Sequence, residues 1–265
     1  MRTGELFTPE APHRLPEFII AGAPRSGTTW LCVLAQRHPQ IAMAQPMVPE
    51  PKFFLIDELW QRGVDYYSTT WFNSLPADRV LGEKSTNYLE SPEVAERMCR
   101  VLPSVKLIFM LRNPVDRAYS NYLWSRRNGL ETETFERAFA LEEQRERELA
   151  PALRYARPHA YFSRGLYAQH LARFFDRFPR KQILVLRYED LASRVERVAA
   201  AFHRFLGVVD MPATALGLGR INEAAAALSE PLSLALRRRL ARCYRAPNVK
   251  LTALLGPDFE LWCDE

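Results

Sequence analysis

Residues 17–37 read EFIIAGAPRSGTTWLCVLAQR. The apolar run Phe18 to Ala21 ends in Gly22, which predicts a buried strand over 17–22. Trp30, Leu31, Val33 and Leu34 fall at helical spacing, which predicts a helix over 26–37 stopped by Pro39. Between them lies G-x-x-x-x-G, Gly22 to Gly27, the spacing of a phosphate-binding loop. Such a loop aims backbone N–H groups and the positive end of a helix at an anion. The nucleoside-triphosphate version continues with Lys and then Ser or Thr. Here Thr28 and Thr29 stand in those places, and Arg25 lies inside the loop. The loop therefore predicts a bound phosphate, held otherwise than Mg-ATP. A glycine-rich turn with no ligand is the plainer alternative.

Outward from this stretch, strands and helices alternate. Residues 40–44 read as a second strand, and 46–51, with three prolines, as an ordered loop. Residues 79–82 form a short strand entering Glu83, Lys84 and Ser85. Ser91 and Pro92 open a helix to about residue 102, Ser as N-cap and Pro at the first helical position. VKLIFML, 105–111, is the most strand-like run, and Asn113-Pro114 opens a helix through 127. A charged amphipathic helix is expected over 134–147, a helix over 164–178 and a last strand over 182–186. A helix over 190–206 closes at Gly207, and two more cover 229–245 and 248–255. Strands apolar on both faces, alternating with helices, predict an α/β fold: a P-loop-like central parallel β-sheet flanked by helices on both faces. No composition break marks a second domain, so 1–16 is read as a tail and 17–265 as a single domain.

The chain has 265 residues, which suits one α/β domain or at most two small ones. Hydrophobic residues make up 48%, enough for a full core and unlike a disordered chain. The net charge of +5 suits anionic partners without singling one out. Arg237, Arg238 and Arg239 form the densest basic run, read first as a solvated face and then as a binding patch. Cys32, Cys99, Cys243 and Cys263 form no C-x-x-C pair and no cluster at zinc spacing, so no structural metal is expected. Cys32, within an apolar helical pattern, reads as a buried thiol. The first sixteen residues lack the apolar centre of a signal peptide. No apolar run approaches the roughly 20 residues of a membrane helix. A cytoplasmic protein without membrane anchor is expected, with no nucleic-acid partner and its oligomeric state open.

A second candidate site is LRNPVDRAYS, 111–120. Arg112 ends the strongest strand, and ligands of open parallel sheets collect at the C-terminal strand ends. There it can fork onto a phosphate or pair with a carboxylate.

Together GAPRSGTTWL and LRNPVDRAYS resemble the two nucleotide motifs of the sulfotransferases that use 3′-phosphoadenosine 5′-phosphosulfate (PAPS), including the interval of eight from Arg112 to Ser120. EPKFF at 50–54, GEKS at 82–85 with Tyr88, and the segment 247–256 resemble the heparan-sulfate-type, N-deacetylase/N-sulfotransferase-like branch. The resemblance covers about 18–262. It implies transfer of a sulfuryl group from PAPS, by in-line displacement, to a hydroxyl or amine of a small-molecule, glycolipid or carbohydrate acceptor. It implies Glu50 as general base, with Arg25 and Lys84 as catalytic cations. The 5′-phosphosulfate falls to Arg25, Ser26, Gly27, Thr28, Thr29 and Trp30, and the 3′-phosphate to Arg112 and Ser120. Arg164, in an R-G-x-Y segment, stands near the nucleotide in relatives, and reads equally as a plain helix-start arginine.

Two features depart from the pattern. Arg25 replaces the family's usual Lys, as in relatives that sulfate protein tyrosines. The Lys-Gly lid over the 3′-phosphate is not recognisable, although Gly219-Arg220-Ile221-Asn222 occupies roughly its region. A sulfuryl group carries less charge than a phosphoryl group, so no metal is required. The Ala- and Arg-rich composition points to a bacterial enzyme of secondary metabolism. Trp60, Tyr66, Tyr67, Trp71 and Phe72 can stack on an acceptor, or, for most of them, pack the core. A P-loop kinase-like phosphotransferase would need a Lys after Gly27 and a metal-holding Asp at a strand end, and neither is found. A non-catalytic binder of nucleotide or sulfated glycan would not need Glu50, Arg25 and Lys84 together.

Overall fold

A computed structural model describes residues 13–219 and 232–262. Strand β1 (Phe18–Gly22) leads into helix α1 (Thr28–Arg37) and β2 (Ile41–Met43). After a loop come α2 (Asp57–Trp60), α3 (Gly63–Trp71), β3 (Val80–Lys84), a 3-10 turn (Thr86–Glu90) and α4 (Pro92–Val101). Then follow β4 (Lys106–Leu111), α5 (Pro114–Arg127), α6 (Phe135–Ala140), α7 (Glu142–Arg147), α8 (Tyr167–Phe175) and β5 (Ile183–Arg187). Helices α9 (Asp190–Ser193), α10 (Val195–Leu206) and α11 (Leu234–Leu255) complete the described chain.

The five strands lie in the order β2-β3-β1-β4-β5, and every pairing is parallel. The chain passes from β1 to the edge strand β2, returns to β3 between them, and then crosses to β4 and β5 on the other side, so the switch point lies at the C-terminal end of β1. Side chains alternate across the sheet with period two. Ile19, Ala21, Leu107, Phe109 and Leu111 join one buried cluster, and Phe18, Ile20, Ile108 and Met110 another. Helices α4 and α8 cover the first face, and α1 and α10 the second. This is the expected helix-flanked parallel sheet.

Where local signals are strong, element and expectation coincide. Asn113 caps α5 by accepting from the Val115 N–H at 2.9 Å, and Gly207 closes α10 with φ +80°. Ser91 precedes α4 as expected, but its hydroxyl donates to Glu93 and does not cap the helix.

Four expectations are corrected. The helix over 134–147 is two, α6 and α7, because Glu142 turns inward to accept the N–H groups of Phe162 and Ser163. The helix over 190–206 breaks at Arg194 (φ −132°), whose guanidinium reaches Asp190 and Glu260. The helix over 164–178 begins with a 3-10 turn, Ser163–Gly165, and ends at Phe175. The two C-terminal helices are one, α11, which runs through Pro247. An interior proline costs about 3 kcal/mol or more. Here Leu240 and Tyr244 before Pro247, and Leu251 and Leu255 after it, lie on one face of the helix and are buried in two hydrophobic clusters, which favours an unbroken helix. Residues 229–231 of that expectation lie outside the described residues.

The segment read as a tail is docked at its end. Arg14 donates its backbone N–H to Ser68 of α3 and its guanidinium to the carbonyls of Leu75 and Pro76.

Candidate functional site

At the switch point the backbone turns through two left-handed residues, Arg25 (φ +67°) and Gly27 (φ +83°), before α1 begins. A Cβ at Gly27 would lie 2.6 Å from the Tyr188 ring, so only glycine fits there. Gly27 supplies no side-chain cap, and the first turn of α1 has no acidic residue. Trp30 donates its N–H to the Gly27 carbonyl at 2.9 Å, while the N–H groups of Thr28 and Thr29 have no acceptor among the described residues and can face an anion. Ser26 and Thr28 are buried, and Thr29 is exposed. Trp30 is buried, its indole N–H 3.4 Å from the carbonyl oxygen of Gly219. Arg220, Ile221 and Asn222, in the sequence region of the lid, lie outside the described residues.

Arg112 follows the end of β4 at the neighbouring strand edge. Its guanidinium lies over the Tyr188 ring, 4.6 Å from the centroid, and donates to the Arg25 carbonyl at 3.4 Å. The Tyr167 hydroxyl holds the Arg112 carbonyl at 2.8 Å. Arg25 Nε in turn lies 3.3 Å from Ser120 Oγ, nearly two turns into α5. Two motifs separated by 95 residues thus meet at one point. Among the described residues neither Arg25 nor Arg112 has a carboxylate within 4.0 Å. Partial withdrawal from water, then the like charges of Arg112, Arg127, Arg117 and Arg164, hold the Arg25 guanidinium below its ordinary value. This excess of positive charge beside the loop favours an anion there.

Arg117 escaped the sequence reading. It is fully buried, donates to the carbonyls of Ala160 and Tyr161, and has no carboxylate partner among the described residues. An unneutralised buried cation raises the positive potential beneath Arg25. Its only sequence signal was its place inside LRNPVDRAYS. Arg164 lies in the 3-10 turn Ser163–Gly165 that precedes α8. It is buried against Glu90, with Nε 2.6 Å from Oε1, and bonds Asn121 and the Ala156 carbonyl. Its charge reaches Arg25, but its donors are engaged inside the protein.

On the other side of β1 stands Glu50. Its carboxylate meets Lys84 Nζ at 2.9 Å and accepts from the N–H and hydroxyl of Thr86 at 3.2 and 3.3 Å. Both side chains are mostly buried, at 17% and 19% exposed, yet reach solvent. Lys84 ends β3, paired in register with Ile20 of β1, so the pair sits beside the phosphate loop. The Cys32 thiol on α1 is pushed up to about 11 by burial, and feels Lys84 and Glu50 in opposite senses.

The loop carrying Glu50 is fastened from below. The Lys52 N–H donates to Ser85 Oγ at 2.9 Å, and the Phe54 N–H to the Tyr88 hydroxyl at 3.3 Å. The Ser85 hydroxyl donates to Glu83 at 2.6 Å, and the Tyr67 hydroxyl donates to the same carboxylate. Of the aromatic stretch, Tyr67, Trp71 and Phe72 are core, and Trp60 and Tyr66 pack against it. The exposed aromatic near this side is Tyr155, with Lys52 Nζ 4.5 Å from its ring centroid.

A cavity of about 1040 Å³ opens elsewhere, beside Asp116, Arg187, Glu189 and Arg237, and none of Arg25, Glu50 or Lys84 lines it. Among the described residues no group of three or more His, Cys, Asp or Glu is placed to hold a metal ion. Nor is any helix among them long and apolar enough to cross a membrane.

The family model of the sulfotransferase domain matches residues 15–214. A crystal structure of a sulfotransferase from Alicyclobacillus acidocaldarius superposes with a TM-score of 0.77 at 31% identity, over 94% of this chain and 98% of that one. The bifunctional heparan sulfate N-deacetylase/N-sulfotransferase 2 of Mus musculus is 30% identical over 203 residues, covering 74% of this chain and 22% of that protein. The membrane-associated sulfotransferase kil1 of Dictyostelium discoideum is 23% identical over 321 residues, covering 93% of this chain and 66% of that protein. The chain thus spans less than two thirds of the length of these curated relatives.

Proposed function

The chain belongs to the sulfotransferase family, and from that premise we propose that it transfers a sulfuryl group from PAPS to a hydroxyl or amine of a small-molecule, glycolipid or carbohydrate acceptor, with Glu50 as general base. The observation that carries this reading is the meeting of the phosphate loop with Arg112 and Ser120 through Arg25. One anion site with two arms suits a nucleotide bearing phosphates at both 5′ and 3′ positions. PAPS, when bound, supplies an activated sulfuryl group and adenosine 3′,5′-bisphosphate as leaving group.

The residues then divide the work. The N–H groups of residues 26–29 and the start of α1 hold the 5′-phosphate, and Arg112 and Ser120 the 3′-phosphate. Arg25 and Lys84 stabilise negative charge on the transferred and departing oxygens. Glu50 accepts the acceptor's proton, held in place by Lys84 and Thr86. Arg164 acts on the site through its charge alone. Residues 17–265 act as one catalytic domain, supported by a single sheet covered on both faces.

Calorimetry tests the reading. Adenosine 3′,5′-bisphosphate should bind at least tenfold more tightly than 5′-AMP, since charge-assisted hydrogen bonds are worth about 1.5–3 kcal/mol each. Equal affinity for the two nucleotides overturns it.

A further inference from the structure

Glu83 is fully buried at the end of β3, one residue before Lys84, and no cation pairs with it among the described residues. Buried lone carboxylates are costly, so what it holds matters. Hydroxyl groups converge on it from separate elements: Tyr67 on α3, Ser85 just beyond β3, and Tyr88 in the 3-10 turn. Two of these hydroxyls have a second task. Ser85 accepts the N–H of Lys52, and Tyr88 accepts the N–H of Phe54. Those N–H groups lie two and four residues after Glu50, on the loop that carries it.

The directions of these bonds follow from chemistry. An ionised carboxylate only accepts, so each hydroxyl that meets Glu83 gives it the proton and turns its lone pairs away. The lone pairs of Ser85 and Tyr88 are then presented to the loop N–H groups. Lys52 has φ +51°, a left-handed turn that a residue with a side chain rarely adopts, and its N–H is one of the two so held.

We propose that Glu83 is a positioning residue for sulfuryl transfer, which orients the Ser85 and Tyr88 hydroxyls so that they hold the Glu50 loop against the end of β3. The inference rests on Glu50 being the base. Burial pushes the Glu83 carboxyl up to about 7, with the Ser85, Tyr67 and Tyr88 hydroxyls opposing and the Glu50 charge adding to the rise. The groups facing it are these three hydroxyls and Glu50; Lys84 points to Glu50 instead. The carboxylate therefore forms only at higher pH than an ordinary carboxyl, and the grip on the loop should tighten as pH rises.

The test uses the full chain and Glu83→Gln, which keeps the size but presents an NH₂ that can donate to the hydroxyls. Hydrogen exchange read by mass spectrometry should quicken at least tenfold for the peptide containing Lys52 and Phe54. Exchange in β4 should not change, and adenosine 3′,5′-bisphosphate affinity should stay within about twofold. With water as the acceptor, sulfate release from labelled PAPS should fall about 10–100-fold, and the wild-type rise of rate near pH 7 should vanish. If Glu83→Gln does not fold, the Ser85→Ala/Tyr88→Phe double variant carries the same two readouts. Unchanged exchange over 50–54 in a folded variant overturns the proposal, whether or not sulfate release is measurable. If Glu50→Gln releases sulfate at the wild-type rate, the general base is misassigned; if Glu50→Gln is inactive and Glu83→Gln is not impaired, only the positioning role fails.

Discussion

The two sides of β1 hold their functional groups by different means. On the β4 side the phosphate loop, α1 and Arg112 present backbone N–H groups and guanidinium groups fixed by the ends of regular elements. On the β3 side Glu50 sits on a loop with little regular structure, and its position depends on Lys84, Thr86, Ser85 and Tyr88. A site made of backbone is tolerant of side-chain change, except at residues such as Arg112 that carry charge. A site made of side-chain hydrogen bonds is sensitive at each link. Substitutions on the β3 side should therefore affect turnover, and those on the β4 side nucleotide affinity.

The largest expected effect lies on the β3 side. Glu50→Gln should lower turnover by about 10²–10⁴-fold, the range of general-base help. Its affinity for adenosine 3′,5′-bisphosphate, read by calorimetry, should hardly change. If affinity collapses too, the Glu50 loop packs on the nucleotide and the two sides are not separable. On the β4 side, Arg112→Ala should weaken adenosine 3′,5′-bisphosphate by about 10–100-fold and leave 5′-AMP nearly unaffected, since one or two charge-assisted bonds are lost. Loss of affinity for both nucleotides alike would show that Arg112 supports the whole loop through the Arg25 carbonyl.

A smaller effect concerns pH. A carboxyl raised to about 7 binds its proton more tightly in the folded chain than in the unfolded one. Its contribution to stability is complete below the ordinary carboxyl range and is lost as pH rises through about 7. Thermal unfolding of Glu83→Gln, which cannot ionise, should lose a few degrees less than wild type between pH 5 and pH 8. Equal pH dependence in the two proteins would mean that Glu83 does not titrate in this range. The smallest effect is expected from metal removal. With Thr28 where a triphosphate loop carries Lys, excess EDTA should leave turnover unchanged, as followed by release of labelled product. Activity abolished by EDTA and restored by Mg²⁺ would point to phosphoryl transfer.

The same division explains what could be read from the chain alone. The phosphate loop, the strand before Arg112 and the Asn113-Pro114 helix start are local patterns, and the structure places them as expected. Glu50 and Lys84 were singled out through the resemblance of EPKFF and GEKS, and nothing in the sequence said that the two would lie 2.9 Å apart. The Glu83 cluster was not, because Tyr67 and Tyr88 reach it only after α3 and the 3-10 turn have packed. Arg117 was equally hidden, since nothing local distinguishes a buried arginine from a surface one on a charged helix. The unbroken α11 was missed for a related reason. Its proline is a strong local stop signal, overruled by the buried face that carries Leu240, Tyr244, Leu251 and Leu255.

Trp30 gives the molecule an optical handle. Its indole sits in the first turn of α1, directly behind the phosphate loop, and its N–H points at the carbonyl of Gly219. Emission from an indole shifts with the polarity and hydrogen bonding around its ring. The other four tryptophans, Trp60, Trp71, Trp124 and Trp262, lie outside this turn. A chain in which those four are replaced by Phe would report occupancy of the loop by colour, in real time and without a labelled nucleotide.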